Sequence, residues 1–308
     1  MCGIVGLLIR DPGLEPQIGS LLAQMLASLG ERGPDSAGAA IYSSGDPLSE
    51  LAGSRAYLDR VRISLASEAP FDWEILRKPF AHIGSGDIGM RTFPTGAWLS
   101  VPSCELGAVM EFLSTKAEYF SVIGVGEGLS IIKGIGRPEA INGRFSVDSW
   151  RGDMAIGHTR MATESAVTVR HCHPFVPAPD LCIVHNGSFS NHATVRRRLI
   201  AEGIDFDSDN DSEVAARLIS RQLALGDDLE AATRWVTKEM DGFFTMIITS
   251  PEGMSVVRDP FACKPAVVAE TCQYVAVASE YRAIAGLPGI EDATVFEPEP
   301  EEVYTWKR

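Results

Sequence analysis

The sequence has no run of apolar residues that approaches the length of a membrane-spanning helix. Its first residues also lack the basic segment and the small-residue cleavage site of a secretory signal peptide. With 308 residues, of which 45% are hydrophobic and 22% charged, the composition is ordinary for a soluble globular protein. We therefore expect a cytoplasmic protein.

Basic residues are in the minority. The chain has 27 Lys and Arg against 41 Asp and Glu, which gives a formal net charge of -14. Such an excess of negative charge repels nucleic acid and anionic membranes, so we expect neither as a partner. A small zwitterionic substrate is not excluded, because local charges govern its binding.

Paired cysteine motifs are absent as well. The six cysteines are scattered with no C-x-x-C pair, which favours a reducing compartment and gives no iron–sulfur spacing. The glycines at 124, 126 and 128 do not match a nucleotide-binding fingerprint and are more typical of a hairpin or loop. His171, Cys172 and His173 could bind a metal, but no second cluster is spaced to complete a site. We predict no metal and no cofactor in this chain.

Position 2 carries the first candidate for chemistry. If Met1 is removed, Cys2 becomes the N-terminal residue, with an α-amine of pKa near 8 and a thiol of pKa near 8.5 on one residue. The neutral amine can accept the thiol proton directly or through water, so nucleophile and base come together. The apolar run over residues 4–9 predicts a buried strand that would hold this end rigidly. The alternative is an inert cysteine beside a buried strand.

Four further residues could complete an amide-hydrolysing site. Asn186 and Gly187 come just past a predicted strand at 181–184, where an amide N–H₂ and a backbone N–H could bind an oxyanion. Arg160 follows another predicted strand and could bind a carboxylate through two hydrogen bonds. Asp211 could accept an ammonium group, although it could equally be the cap of a helix. These residues alone indicate a possible N-terminal nucleophile hydrolase.

The order of predicted elements favours an α+β fold. A strand and a helix over 14–29 precede a poorly patterned segment at about 46–150, which we interpret as an insertion. Strands then lead to helices from 191, 211 and 228, and these to consecutive strands from 243 onward. Adjacent hairpin-like strands favour antiparallel sheets packed against helices.

Six short motifs occur in order: CGIVG at 2–6, RGPDS at 32–36, GHTRMAT at 157–163, HPF at 173–175, HNG at 185–187 and NDSE at 210–213. Together they resemble the class II glutamine amidotransferases of the N-terminal nucleophile hydrolase superfamily. RDP at 258–260 and ASE at 278–280 resemble later strands of the same domain. The resemblance implies glutamine hydrolysis and a four-layer αββα sandwich, here as a single domain over 2–308.

The resemblance also implies roles for individual residues. Cys2 is the nucleophile, Asn186 with Gly187 forms the oxyanion hole, and Arg32 orders the loop around Cys2. The remaining family positions fall on Arg160 and Thr163 for the substrate carboxylate, Asp211 for its ammonium, and His173, which lies nearby with no fixed role. Some family members have an aromatic residue that gates ammonia where this chain has Met161.

Within that family the chain is most similar to the separate amidotransferase subunit of split glutamate-synthase-like complexes, such as the one in N-methylglutamate synthase. That similarity implies partner subunits with FMN and iron–sulfur clusters, to which ammonia or methylamine is passed. Two alternatives stay open: a stand-alone hydrolase of γ-glutamyl amides, and a catalytically idle scaffold subunit.

Overall fold

The structure is a computed structural model that describes residues 2–43, 59–85, 87–162 and 166–308. Its strands are β1 (Gly3–Ile9), β2 (Ser36–Tyr42), β3 (Arg60–Ala66), β4 (Gly89–Phe93), β5 (Gly96–Pro102), β6 (Ser121–Gly126), β7 (Leu129–Ile135), β8 (Met154–Arg160), β9 (Phe175–Ala178), β10 (Leu181–Phe189), β11 (Gly242–Ser250), β12 (Gly253–Arg258), β13 (Val267–Glu270), β14 (Tyr274–Ala278), β15 (Thr294–Phe296) and β16 (Val303–Lys307). Its α-helices are α1 (Ile18–Ser28), α2 (Arg77–Phe80), α3 (Leu106–Ser114), α4 (Pro138–Phe145), α5 (His192–Ala201), α6 (Asp211–Ala224) and α7 (Leu229–Glu239).

The strand that follows Cys2 lies at the centre of a seven-stranded sheet. The strand order is β15-β13-β14-β1-β8-β2-β7, and neighbouring strands are antiparallel. β1 therefore has a partner on each side, β14 and β8. The N-terminal end of β1 is fixed by pairing on both edges rather than left at an open edge.

The unbroken apolar run of β1 arises because both faces of this strand are buried. Val5 and Leu7 point to a core shared with α1, whereas Ile4 and Leu8 point to a core shared with a second sheet. Gly6 leaves room for that second sheet, since a β-carbon there would lie 2.8 Å from Met254 Sδ. A strand between two cores has no polar face, which explains the sequence pattern.

The second sheet has five strands in the order β16-β12-β11-β10-β9. Its inner face meets the seven-stranded sheet through residues such as Val184 and Ile247, and its outer face packs on α6 and α7 through residues such as Val257 and Leu218. With α1 and α4 on the far face of the first sheet, the layers run helix, sheet, sheet, helix. The predicted α+β, four-layer αββα fold is confirmed.

The segment interpreted as an insertion at about 46–150 divides into two parts. Residues 60–126 supply a separate four-stranded sheet, in the order β4-β5-β3-β6, with its own core against α2 and α3. β7 instead pairs with β2 in the seven-stranded sheet, and Ile141 and Phe145 of α4 join the core of α1. The separate layer thus ends near Gly126 and not at 150, because β7 satisfies the hydrogen bonds of β2.

One smaller difference has a local cause. The predicted helix over 14–29 begins as a 3₁₀ turn, Pro12–Gln17, and continues as α1 from Ile18. Pro16 lacks the N–H that an α-helical ladder needs, so the regular helix starts after it.

In the part of the chain that the structure describes, no helix has the length and apolar character to cross a membrane.

Candidate active site

Cys2 lies one residue before the central strand β1, at the level where β8 ends and β2 begins. Gly3 pairs with Thr159, and Ser36 pairs with Arg160. Cys2 is partly exposed, and its Sγ lies 3.9 Å from the carbonyl oxygen of Met161. The thiol is therefore open to a ligand while its backbone leads into the centre of the sheet.

Arg32 holds the backbone of Cys2 in place. Its Nε donates a hydrogen bond of 2.9 Å to the Cys2 carbonyl oxygen, and its Nη1 forms an ion pair with Glu280. The guanidinium of Arg32 is largely buried. Glu280 directly follows Ser279, and Ser279 Oγ accepts a hydrogen bond of 3.0 Å from the Ile4 N–H. Segments from both ends of the chain thus meet at the nucleophile.

The turn after Arg32 packs directly on β8. A β-carbon at Gly33 would lie 2.3 Å from the carbonyl carbon of Thr159, so only glycine allows this approach. Asp35 donates its N–H to Arg160 O at 3.0 Å and accepts the Ala162 N–H at 2.8 Å. The turn therefore fixes the position of Arg160 relative to Cys2.

Arg160 is buried at the end of β8, and its Nη1 donates a hydrogen bond of 3.0 Å to Ala166 O. Its positive charge, with that of Arg32, acts on the Cys2 thiol. Thr163, the other predicted carboxylate ligand, lies outside the described residues. The structure thus places one of the two predicted carboxylate ligands beside the nucleophile.

The Cys2 thiol has a pKa above its ordinary value. Burial is the largest cause, since it disfavours the thiolate; a hydrogen bond with the Met161 backbone and the charges of Arg160 and Arg32 oppose it. The resting nucleophile is consequently a thiol, which needs a base before it can attack.

Asn186 and Gly187 were predicted just past the end of a strand, but β10 continues through both to Phe189. Asn186 pairs with Thr245 and Gly187 with Phe244, so the prediction of the strand end was wrong. Gly187 has φ of 149°, and a β-carbon there would lie 2.0 Å from Phe243 O. Asn and Gly are typical of loops, but here the glycine is required by the close approach of β11.

The side chain of Asn186 is buried, and its Nδ2 has no hydrogen-bond partner among the described residues. A buried N–H₂ group without an acceptor is costly unless something else supplies one. The residue before Asn186 contacts β8, since the His185 carbonyl oxygen lies 3.1 Å from His158 Nε2. His158 in turn pairs with Ile4 of β1. This donor therefore lies on the second sheet, across from the N-terminal end of β1.

Asp211 is the first residue of α6, but it is not the helix cap. Asn210 Oδ1 accepts the Ser212 N–H at 2.8 Å and caps the helix. Asp211 Oδ2 instead accepts the Phe189 N–H at 2.9 Å, just past Gly187. The capping interpretation of Asp211 was wrong, and its carboxylate lies at the end of β10 that carries Asn186.

Known proteins resemble this chain over almost its whole length. A protein from Rhizobium meliloti (strain 1021), named glutamine amidotransferase-like protein GlxB, is 44% identical over 308 residues, covering 99% of this chain and 98% of its own. The chain belongs to the class II glutamine amidotransferases. A putative glutamine amidotransferase from Methanothermobacter thermautotrophicus is 31% identical over 99% of both chains, and the family described as a glutamine amidotransferase domain matches residues 158–286.

The fold of this amidotransferase occurs in solved structures of other proteins. One, titled as the allosteric regulatory enzyme of purine biosynthesis, has a TM-score of 0.63 at 19% identity, covering 99% of this chain and 46% of its own. A glutamine phosphoribosylpyrophosphate amidotransferase from B. subtilis has a TM-score of 0.59 at 18% identity, covering 99% and 49%. The amidotransferase thus spans about half the length of those two chains, and at this identity the likeness concerns the fold.

His173 packs among other buried rings in this amidotransferase. Its ring is buried and stacks on His158 with centroids 4.1 Å apart, and the centroid of His185 lies 6.3 Å away. Burial lowers the pKa of all three rings, that of His158 to about 3, so they are neutral at pH 7. Substrate contact by His173 stays a prediction, and the structure gives it a packing role between the sheets.

Sequence reasoning missed the partners of the predicted residues. Several missed residues contact the predicted site residues or the elements that carry them, namely Glu280, Ser279, His158 and His185. The motif at 278–280 was the available signal, since it places a Ser and a Glu directly after a buried strand. Among the residues described, no group of three or more His, Cys, Asp or Glu could hold a metal ion.

Proposed function

We propose that this chain hydrolyses the side-chain amide of glutamine, or of a related γ-glutamyl amide, with Cys2 as nucleophile. The observation that carries the proposal is the placement of Cys2. Arg32 binds the Cys2 carbonyl oxygen, Cys2 leads into the central strand β1, and Arg160 lies close enough to act on the thiol. A resting thiol with a raised pKa needs a nearby base. The α-amine of Cys2, freed by removal of Met1, supplies it.

The reaction then proceeds in two steps. The amine takes the thiol proton, the sulfur attacks the amide carbon, and the N–H groups of Asn186 and Gly187 bind the oxyanion. The amine returns the proton to the leaving nitrogen, so ammonia departs and a thioester forms. Water attacks the thioester, which releases glutamate and restores the thiol.

Charged groups on two elements grip the rest of the substrate. Arg160, at the end of β8, pairs with the α-carboxylate, and Thr163 adds a hydrogen bond. Asp211, at the start of α6, pairs with the α-ammonium. The separation of these two charges, one on β8 and one on α6, fixes the orientation of the amide toward Cys2.

We further propose that the chain is the amidotransferase subunit of a glutamate-synthase-like complex in the cytoplasm, passing ammonia or methylamine to partners with FMN and iron–sulfur clusters. Support comes from the motif resemblance and from relatives that match this chain over nearly all of their own length. Ammonia released into water at pH 7 becomes ammonium and is no longer nucleophilic. Transfer therefore needs a closed path to a partner.

The experiment measures glutamate release from glutamine and from γ-glutamylmethylamide, with and without partners that co-purify from the native host. Weak activity of the isolated chain that rises with partners supports the role in a complex. Full activity without partners supports a stand-alone hydrolase, and no activity in either state supports the idle scaffold.

Two controls test the nucleophile itself. Intact mass should show loss of Met1, since a retained Met1 converts the base into a peptide nitrogen. Cys2→Ala should fold normally and release no glutamate. Active enzyme that carries Met1 would overturn the mechanism.

A further inference from the structure

A cavity of about 540 Å³ lies between the four-stranded layer and the main sandwich. One wall comes from α3 and β6, including Met110, Leu113 and Val122, and the other from β9, including Phe175 and Val176. None of the residues assigned above to the amidotransferase site lines it. Its volume is in the range of small-molecule sites, which are mostly apolar with a few placed polar groups.

Lys133 lines this cavity from β7. The residue is 5% exposed, and its ammonium lies 5.0 Å from the centroid of the Phe175 ring. In the described parts of the chain it forms neither a hydrogen bond nor an ion pair. Burial lowers the pKa of Lys133, because the charged form is desolvated. A buried ammonium without an anion is costly, so its presence calls for a ligand.

The carboxylates at the cavity do not form ion pairs with Lys133, because they are bonded to other groups. Glu213 accepts the backbone N–H groups of Asp207 and Ser208 at 2.8 Å each, and it pairs with Arg217 at 3.2 Å. Asp207 pairs with the same Arg217 at 2.8 Å. Glu213 and Asp207 thus share one guanidinium, and neither forms an ion pair with Lys133. Their remaining negative charge acts on Lys133 from a distance and only partly opposes the effect of burial on its pKa.

We propose that this cavity is a second binding site, which takes a small organic anion with an apolar body and a carboxylate that pairs with Lys133. The apolar walls from α3, β6 and β9 cover the body of the ligand. Arg170 is exposed at the cavity and adds a second positive charge for a ligand with a further acidic group. The site consists of residues from both the separate layer and the sandwich, so a bound ligand contacts both.

The test compares octanoate with octanamide, which share an eight-carbon chain but differ in charge. Isothermal titration calorimetry on the full chain should show octanoate binding at least about tenfold more tightly, as expected for a desolvated charge pair. Lys133→Met keeps an unbranched side chain and removes the charge, so octanoate should lose about tenfold or more while octanamide changes little. Lys238→Met, an exposed lysine on α7 outside the cavity lining, is the matched control and should bind as the wild type does.

A second variant keeps the test decisive if Lys133→Met does not fold. Ser114 is exposed on α3 at the cavity, so Ser114→Trp fills the space from outside the core and should weaken both probes at least about tenfold. Equal affinity for the two probes, no binding of octanoate, or unchanged binding in Ser114→Trp would each overturn the proposal.

Discussion

Asp211 and Asn210 are neighbours at the start of α6, and the structure gives them different tasks. Asn210 caps the helix through Ser212 N–H, whereas Asp211 accepts the Phe189 N–H at 2.9 Å. Asp211→Asn keeps the shape and an oxygen that can still accept this hydrogen bond, but it removes the negative charge. It therefore tests the charge alone.

The expected cost follows from burial. An ammonium–carboxylate pair in a desolvated site costs about 2–5 kcal/mol when one partner is lost. Asp211 is only half-buried, so we expect the lower end, about 2 kcal/mol, which corresponds to an increase of roughly 30-fold in KM for glutamine. kcat should change little, because the ammonium is bound in the ground state and the transition state alike.

Steady-state glutaminase kinetics and chemical denaturation are measured on both Asp211→Asn and Asn210→Ala. Loss of the cap in Asn210→Ala should reduce the free energy of unfolding by about 1 kcal/mol with KM near the wild-type value. Asp211→Asn should show the opposite pattern, with a raised KM and nearly unchanged stability. A normal KM in Asp211→Asn would remove Asp211 from the site.

Three further predictions concern other parts of the fold. Asn186→Ala should lower kcat by about 10²–10³ with little change in KM, because the oxyanion exists only in the transition state; steady-state kinetics check this, and an unchanged kcat would contradict it. Gly187→Ala should lower the free energy of unfolding by at least about 1–3 kcal/mol in urea denaturation, because φ of 149° and Phe243 O leave no room for a β-carbon; a wild-type midpoint would contradict this. Stability should fall as pH drops from 6.5 toward 3, because the unfolded state binds protons there that His158, with its pKa lowered to about 3, does not. His158→Gln should remove up to about 1.4 kcal/mol per pH unit from that slope in denaturation series, and an unchanged slope would contradict the assignment.

The sequence predicts most of the sandwich because its strands are buried on two faces. Residues 4–9 of β1 and residues 181–184 of β10 form apolar runs, and α1 has helical spacing. These patterns depend only on local composition. These strands and this helix can therefore be predicted before it is known which strands pair.

The missed features depend on contacts distant in sequence. β7 joins the main sheet only because β2, far earlier in the chain, pairs with it. The Arg32 ion pair with Glu280 leaves no periodic signal, since each residue alone looks like an ordinary surface charge. The strand through Asn186 and Gly187 was missed because these residue types prefer loops, and only the register with β11 reveals them as strand.

The contacts that join the first strand to residues 279 and 280 have a consequence for biosynthesis. Ile4 donates to Ser279, 275 residues later, and Arg32 pairs with Glu280. A ribosome adds about 5–20 residues per second, so β14 is synthesised many seconds after β1. Cys2 is synthesised long before the residues that support it, and we expect a nascent chain to release no ammonia until Ser279 and Glu280 have been added and folded.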